Sequence, residues 1–94
     1  MVVGVLELVL AVPAATLKEK RGIIRRIITR TQNKFNLSIA EIDRLDDPAS
    51  SVLGFSMVGN DRRFVNEVLS KTINHIDGLF LATIVDQQIT IENF

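Results

Sequence analysis

The sequence predicts a single α+β domain, residues 1–94, whose secondary-structure elements follow the order βαββαβ. Four segments are rich in apolar and β-branched residues, and two others repeat apolar residues at the spacing of an amphipathic helix. Polar capping residues introduce both helical segments. A chain of 94 residues is also too short to divide into two stable cores.

The first predicted strand runs from Val2 to Val12 and alternates between two largely apolar faces. Apolar character on both faces suits a central strand of a sheet. Pro13 ends the strand, because proline has no N–H group to donate to a neighbouring strand. One face carries Leu6, Leu8, Leu10 and Val12, and the other carries Val3, Val5, Glu7 and Val9.

The first predicted helix extends from Leu17 to about Lys34. Thr16 and Glu19 match a capping box, in which each side chain accepts a hydrogen bond from the other residue's backbone N–H. Lys20 falls within the apolar stripe, and we expect its stem to lie across the edge of the core and its ammonium group to reach water. The apolar stripe comprises Leu17, Ile23, Ile24, Ile27, Ile28 and Phe35.

Two further strands are predicted at Leu37 to Leu45 and at Val52 to Gly59, joined by a polar turn. Glu41 and Asp43 indicate that the second strand is an edge strand, which charge protects from pairing with another chain. Gly54 predicts a bulge or a close approach of the backbone in the third strand. The third strand directs Leu53, Phe55 and Met57 to one face.

The second predicted helix begins at Asn60–Asp61, whose short polar side chains can accept from exposed N–H groups. It ends near Ile76, because Gly78 can adopt the left-handed conformation that stops a helix. Its apolar positions are Phe64, Val68, Leu69, Ile73 and Ile76.

A fourth strand is predicted at Leu79 to Val85. The apolar residues Ile89–Ile91 follow it after the polar residues Asp86–Gln88. They either extend the fourth strand past a bulge or form a separate short ladder.

This order of elements is the ferredoxin-like arrangement, a four-stranded antiparallel sheet with two helices on one face. We expect the first and third strands at the centre of the sheet and right-handed crossovers. The other face would stay open and apolar, and an exposed apolar face usually marks a partner. The sequence therefore predicts a homodimer whose interface includes Val3, Val5 and Val9.

Basic residues concentrate in the first helix although the net charge of the chain is zero. The segment from Thr16 to Asn36 has seven Lys and Arg residues against one acid, Glu19, so it carries +6 and the remainder carries −6. Because arginine forks bind phosphate oxygens, this pattern predicts contact with structured RNA or a ribosomal subunit. The alternative is a solvated face that only keeps the protein soluble. The predicted nucleic-acid-binding residues are Lys18, Arg21, Arg25, Arg26 and Arg30.

The sequence predicts no catalytic site, no metal site and no cofactor. There is no cysteine, and His75 is the only histidine, so a thiolate or imidazole metal site lacks ligands. A favourable interaction with the end of the second helix explains His75. The acidic residues from Glu41 to Asp47 are explained by edge protection and turn formation. RNA binding on the open sheet face is not expected, because the only aromatic residue on the two central strands is Phe55, which we assign to the core.

Neither a membrane span nor a secretory signal is predicted. No apolar run approaches the roughly 20 residues that a bilayer requires, and no basic segment precedes the apolar start of the chain. The absence of cysteine fits a reducing compartment. We therefore expect a cytoplasmic protein without a membrane partner.

Three stretches of the sequence are similar to those of one bacterial family: Val2–Leu8, the run Leu17-Lys18-Glu19-Lys20-Arg21, and Ser56–Asp61. Over nearly its whole length the chain resembles the YlxP-like family, which is labelled as a domain of unknown function. The resemblance implies a ferredoxin-like fold and an association with translation and ribosome maturation, and it supplies no catalytic residue. Leu45–Ser51 stands where members often have a tryptophan-containing stretch.

We therefore expect a non-enzymatic binding module that docks its basic first helix on structured RNA or on a ribosomal subunit. The alternative is a homodimeric protein-interaction scaffold that uses the open apolar sheet face. A third possibility is a regulatory domain with a small-ligand site at a dimer interface.

Overall fold

Six regular elements make up the computed structural model, which describes all 94 residues. They occur in the predicted order βαββαβ. The elements are β1 (Val2–Ala11), α1 (Leu17–Lys34), β2 (Ser38–Asp43), β3 (Ser50–Gly59), α2 (Arg62–Asp77) and β4 (Thr83–Asn93).

The four strands form one antiparallel sheet with the order β2-β3-β1-β4, so β1 and β3 are central as predicted. At the centre of the sheet, Leu6 of β1 pairs with Phe55 of β3 on one side and with Ile89 of β4 on the other. Both helices pack against the same face of the sheet. The predicted ferredoxin-like fold is therefore confirmed.

The last strand is one continuous element, which decides between the two alternatives that the sequence left open. Its pairing with β1 shifts by one residue at Val85, which has no partner in the ladder. The bulge therefore lies just before the polar residues Asp86–Gln88, where the sequence predicts it, and the strand continues beyond it along β1. The pairs on either side of the shift are Val9 with Asp86 and Leu10 with Ile84.

Two of the strand boundaries that differ from the prediction are explained by residues with positive φ angles. β4 begins at Thr83 and not at Leu79, since Phe80 has a φ of 54° and interrupts the extended chain. β2 stops before Arg44, whose φ is 58°. Residues other than glycine rarely adopt this left-handed backbone conformation, and the conformation is incompatible with a strand.

The core lies between the sheet and the two helices. Leu6, Leu8 and Leu10 of β1 are fully buried and point toward the helices, as the alternation predicts. Phe55 is buried beside them, in agreement with its assignment to the core. The helices contribute Ile23, Ile24, Ile27, Val65, Leu69, Ile73 and Ile76 to the same cluster.

The packing face of α2 differs by one residue from the prediction. Phe64 is 54% exposed, whereas Val65 is completely buried. Val65 lies directly over two glycines, since a Cβ atom on Gly4 would overlap with it and one on Gly59 would lie 2.8 Å from its Cγ2 atom. This approach of α2 to the sheet leaves room for valine and places the larger ring of Phe64 outside the contact.

Lys20 does not reach water as the sequence predicts, because its side chain is completely buried. Its Nζ atom lies 3.0 Å from Glu41 Oε2 and donates to the carbonyl oxygens of Arg44 at 2.7 Å and Ser50 at 3.0 Å. The connection between β2 and β3 thus covers the first turns of α1 and encloses the ammonium group. Glu41, assigned to edge protection by the sequence, faces the helices and is the counter-ion of Lys20.

Gly54 is a site of close approach, one of the two possibilities predicted for it. A Cβ atom there would lie 3.0 Å from Ile42 Cγ2, so the Ile42 side chain crosses the open face of the sheet at this point. The irregularity in the ladder lies in β2, between Glu41 and Asp43, and not in β3.

Candidate nucleic-acid interface

Five basic side chains lie along the solvent-exposed side of α1. The helix buries Ile23, Ile24 and Ile27 against the sheet, and this burial turns the opposite side outward. Residues three and four apart are neighbours on a helix surface, so the cations form two adjacent rows, Lys18, Arg21 and Arg25 in one and Arg26 and Arg30 in the other. This basic face comprises the predicted residues Lys18, Arg21, Arg25, Arg26 and Arg30, all of which are exposed.

No carboxylate pairs with the basic face. The single ion pair of the protein joins Lys20 and Glu41, and none of the five cations lies within 4.0 Å of an acidic oxygen. Glu19, the one acid in the helix, accepts a hydrogen bond at 3.2 Å from the hydroxyl of Thr16. The positive charge of the basic face therefore remains available to an external anion.

The N-terminal cap of α1 holds the start of this face in place. The backbone N–H of Glu19 donates to Thr16 Oγ1 at 3.2 Å, which is one half of the predicted capping box. In place of the other half, the Glu19 carboxylate accepts from the Thr16 hydroxyl, so the two side chains bond to each other.

Arg21 and Arg25 also line a shallow groove of about 310 Å³ between α1 and the edge strand β2. Glu41 lies in the same groove, where Lys20 and the hydroxyl of Ser51 already engage its Oε2 atom. The groove therefore offers two free guanidinium groups beside a carboxylate that is already paired. A phosphate group is the kind of anion that such a pair of forks binds.

Positive charge is concentrated in the helix layer of the fold, which also contains three acidic residues, Glu19, Glu67 and Asp77. The strands contain no Lys or Arg, whereas ten of the eleven basic residues lie in the helices. Five acidic residues lie in the strands: Glu7, Glu41, Asp43, Asp86 and Glu92. The two faces of the molecule thus present opposite charge to solvent.

Phe80 is an exposed aromatic residue, although the sequence predicts that it lies in the fourth strand. It is 89% exposed and lies in the connection between α2 and β4. This connection lies beside Pro13, at the end of the sheet where α1 begins. The sequence could have indicated this position, because Gly78 ends α2 and Phe80 follows only two residues later, in the turn after the helix.

The three valines of the predicted dimer interface lie on the sheet face that no helix covers. Val5 is 40% exposed, and Val3 and Val9 are half-buried by their neighbours in the sheet. They belong to one row along β1, as the alternation predicts. Pairing of two copies through this row stays a prediction.

His75 does not have the environment that the sequence predicts for it. Its pKa is lowered from the ordinary value, first by burial and then by the positive charge of Lys34. Its ring packs edge-on against Phe35 at 5.6 Å between centroids, and its Nε2 atom is buried without a hydrogen-bond partner. The neutral ring is therefore a packing element, and a favourable interaction of its charged form with the helix end does not explain it.

No group of three or more His, Cys, Asp or Glu side chains is arranged to hold a metal ion. Neither helix has both the length and the apolar character needed to cross a lipid bilayer.

Comparison of the sequence with protein families gives one match over most of the chain. The family described as "Protein of unknown function (DUF503)" matches residues 3–89. The "Uncharacterized protein YlxP" of Bacillus subtilis is 41% identical over 64 residues, which cover 68% of this chain and 70% of that protein. The matched region includes α1 and the whole of its basic face.

Solved structures with the same fold have little sequence in common with this chain. A designed protein with a ferredoxin fold has a TM-score of 0.57 and 16% identity, and the match covers 100% of this chain and 87% of the designed protein. SnoaB, a cofactor-independent oxygenase from Streptomyces nogalater, has a TM-score of 0.53 and 11% identity, and the match covers 99% of this chain and 92% of SnoaB. At such identities the likeness concerns the fold alone.

Proposed function

The chain belongs to the DUF503 family, and we propose that it is a non-enzymatic binding module that docks the basic face of α1 on structured RNA or on a ribosomal subunit. The observation that carries this proposal is that five exposed cations on one helix have no carboxylate partner. A face that only solubilises a protein normally mixes both signs of charge.

The geometry of the basic face suits a phosphate backbone. Arginine forks bind phosphate oxygens with two parallel hydrogen bonds, and four of the five cations are arginines. The groove beside Arg21 and Arg25 adds a concave surface into which a phosphate group can enter. Phe80 supports a structured RNA with unpaired bases, because exposed aromatic rings stack on such bases.

This binding mode has consequences for location and for chemistry. RNA and ribosomal subunits reside in the cytoplasm of bacteria, so the proposal also places the protein there. Binding through phosphates requires no catalytic group, metal ion or cofactor. The carboxylates on the sheet face that no helix covers would point away from the RNA, because negative charge repels phosphates.

The first test measures binding of the protein to a fluorescent RNA hairpin and its co-sedimentation with purified ribosomal subunits over a range of salt concentrations. If about four phosphates are engaged, the logarithm of the affinity falls with the logarithm of salt concentration with a slope of about −3 to −4. The double variant R21E/R25E is expected to abolish binding at moderate salt, since each replacement turns an attraction into a repulsion.

The matched control is R63E/K71E, which changes the net charge by the same four units on the exposed side of α2. Circular dichroism would establish that both variants are folded. Equal loss of binding in both variants would show that only the net charge of the protein matters. Undiminished binding of R21E/R25E would show that the basic face does not bind the RNA.

A further inference from the structure

The sheet face that lacks helices combines apolar side chains with uncompensated carboxylates. We call it the open face; it is formed by alternate residues of all four strands. Among its apolar residues, Val58 is 63% exposed, Ile42 is 48% exposed and Val5 is 40% exposed. Because the strands contain no Lys or Arg, no strand residue on this face offsets the acids.

The register places acidic residues along the row of valines in β1. Val3 lies opposite Glu92, and Val9 lies opposite Asp86, while Glu7 stands between the valines on β1 itself. None of these three carboxylates has a cationic group within 4.0 Å. The open face is therefore amphipathic, because acidic groups lie beside its apolar side chains.

Two grooves give this face a shape that can receive side chains. One, of about 350 Å³, is lined by Val3, Val5, Glu7, Thr90 and Glu92 among others. The other, of about 340 Å³, lies beyond Val5 and Glu7 toward β2 and includes Ile42 and Gly54. Val5 and Glu7 form the ridge between the two grooves.

We propose that the open face binds a basic segment of another protein, whose apolar side chains enter the grooves and whose Lys and Arg residues pair with Glu7, Asp86 and Glu92. Charge complementarity selects this partner. Burying the apolar grooves supplies affinity, and complementary charges supply orientation and specificity.

A second copy of this chain is a poorer occupant of the same face. A two-fold pairing through the valine row would bring the carboxylates of one copy against those of the other, with no cation in either set of strands. Like charges across an interface cost free energy and suppress association. RNA is also excluded from this face, because its phosphates would meet carboxylates.

The proposal is independent of the function assigned to α1, since the two surfaces lie on opposite layers of the fold. The test therefore uses the folded wild-type domain and no RNA. The probes are three synthetic peptides with the same alternating leucine and valine residues, separated by lysine in the first, by glutamine in the second and by glutamate in the third.

Nuclear magnetic resonance titration identifies the binding site of each peptide by residue. We expect the lysine peptide to shift the amide resonances of the open face, including Val5, Gly54 and Thr90, and to leave those of α1 and α2 in place. The glutamine peptide is expected to bind at least tenfold more weakly and the glutamate peptide not at all.

The double variant E7Q/E92Q is expected to weaken binding of the lysine peptide by roughly three- to tenfold, as for the loss of two exposed ion pairs. The control E67Q/D77N removes the same number of charges from exposed positions of α2 and is expected to bind like the wild type. Equal affinity for the lysine and glutamine peptides, or shifts confined to the helices, would overturn the proposal.

Sedimentation of the free protein at several concentrations tests whether a second copy of the chain occupies the open face instead. A monomer throughout the micromolar range agrees with a face reserved for a different protein. A dimer, together with open-face resonances that move with protein concentration in the absence of peptide, would assign the face to a second copy and overturn the proposal.

Discussion

The ammonium group of Lys20 is surrounded by oxygen atoms from parts of the chain that are distant in sequence. A carboxylate from β2 neutralises it, and carbonyl oxygens at both ends of the β2–β3 connection accept hydrogen bonds from it. The left-handed conformation of Arg44 turns one of these carbonyls toward the ammonium group. A single residue thereby fixes the connection between two strands against the first turns of α1.

We expect Lys20→Met to lower the free energy of unfolding by about 3–5 kcal/mol, because it leaves a largely buried carboxylate without its counter-ion and removes the hydrogen bonds from the ammonium group to the enclosing carbonyl oxygens. Urea denaturation measures the change. The double variant K20M/E41M should recover part of the loss, since it removes the orphaned charge.

Lys18→Met, on the exposed side of the same helix, is the control for this prediction and should change the stability by less than about 0.5 kcal/mol. A loss of similar size for the exposed and the buried lysine would contradict the enclosed ammonium group.

His75 adds a dependence of stability on pH. Because burial and Lys34 lower its pKa in the folded state, folding favours the neutral ring, and its contribution to stability is complete above the pKa of the unfolded chain, about 6.5. This contribution is lost as the pH falls through the lower pKa of the folded state. The urea midpoint should therefore decrease as the pH falls below about 6.5, and the decrease should be smaller in His75→Gln.

Titration of the His75 ring resonances measures the folded-state pKa directly. A value at or above that of an unfolded peptide would argue against burial as the cause. Lys34→Gln should raise the pKa of His75 slightly, because Lys34 is the second cause of the shift.

At the scale of elements, the position of α2 depends on two glycines in adjacent strands. Gly4 of β1 and Gly59 of β3 both lie beneath Val65, and Leu69 also contacts the position above Gly4. These glycines have ordinary negative φ angles, so their role is the absence of a Cβ atom and not backbone freedom. The helix can therefore approach the sheet closely enough to bury its first turns.

Gly4→Ala is expected to destabilise the protein by about 1–3 kcal/mol, because the added methyl group overlaps with Val65 and lies 2.9 Å from Leu69 Cδ1. Thermal or chemical denaturation provides the measurement. Gly22→Ala is the matched control, since a Cβ atom at this position would have no atom within 4 Å other than those of its chain neighbours and the adjacent backbone of α1. It should stabilise the helix by about 0.5–1 kcal/mol, and a neutral Gly4→Ala would show that α2 can shift without cost.

At the scale of the whole molecule, the segregation of charge gives the domain two unlike surfaces. The helix layer carries nearly all of the cations, and the sheet contributes only acids. A neutral protein with this arrangement has a large dipole, which orients it toward polyanions with α1 leading. The two surfaces lie on opposite sides, so an RNA on α1 and a basic segment on the open face could be held at the same time.

Local patterns were sufficient to predict the order of elements and the extent of α1. The bounds Leu17–Lys34 were predicted correctly because a cap, an apolar stripe and a helix period all occur within that one stretch. The exposure of the basic face followed from the same stripe, since a helix that buries one side must present the other. The alternation in β1 likewise predicted that Leu6, Leu8 and Leu10 would be buried.

Features that depend on residues far apart in the chain required the tertiary structure. The sequence could not indicate that the β2–β3 connection encloses Lys20, because the enclosing oxygens come from residues more than twenty positions away. The choice of Val65 over Phe64 depended on the glycines beneath it, and the bulge at Val85 on its register with β1. Periodicity determined which side of each element is buried, but only the packing of one element on another decided which atoms meet there.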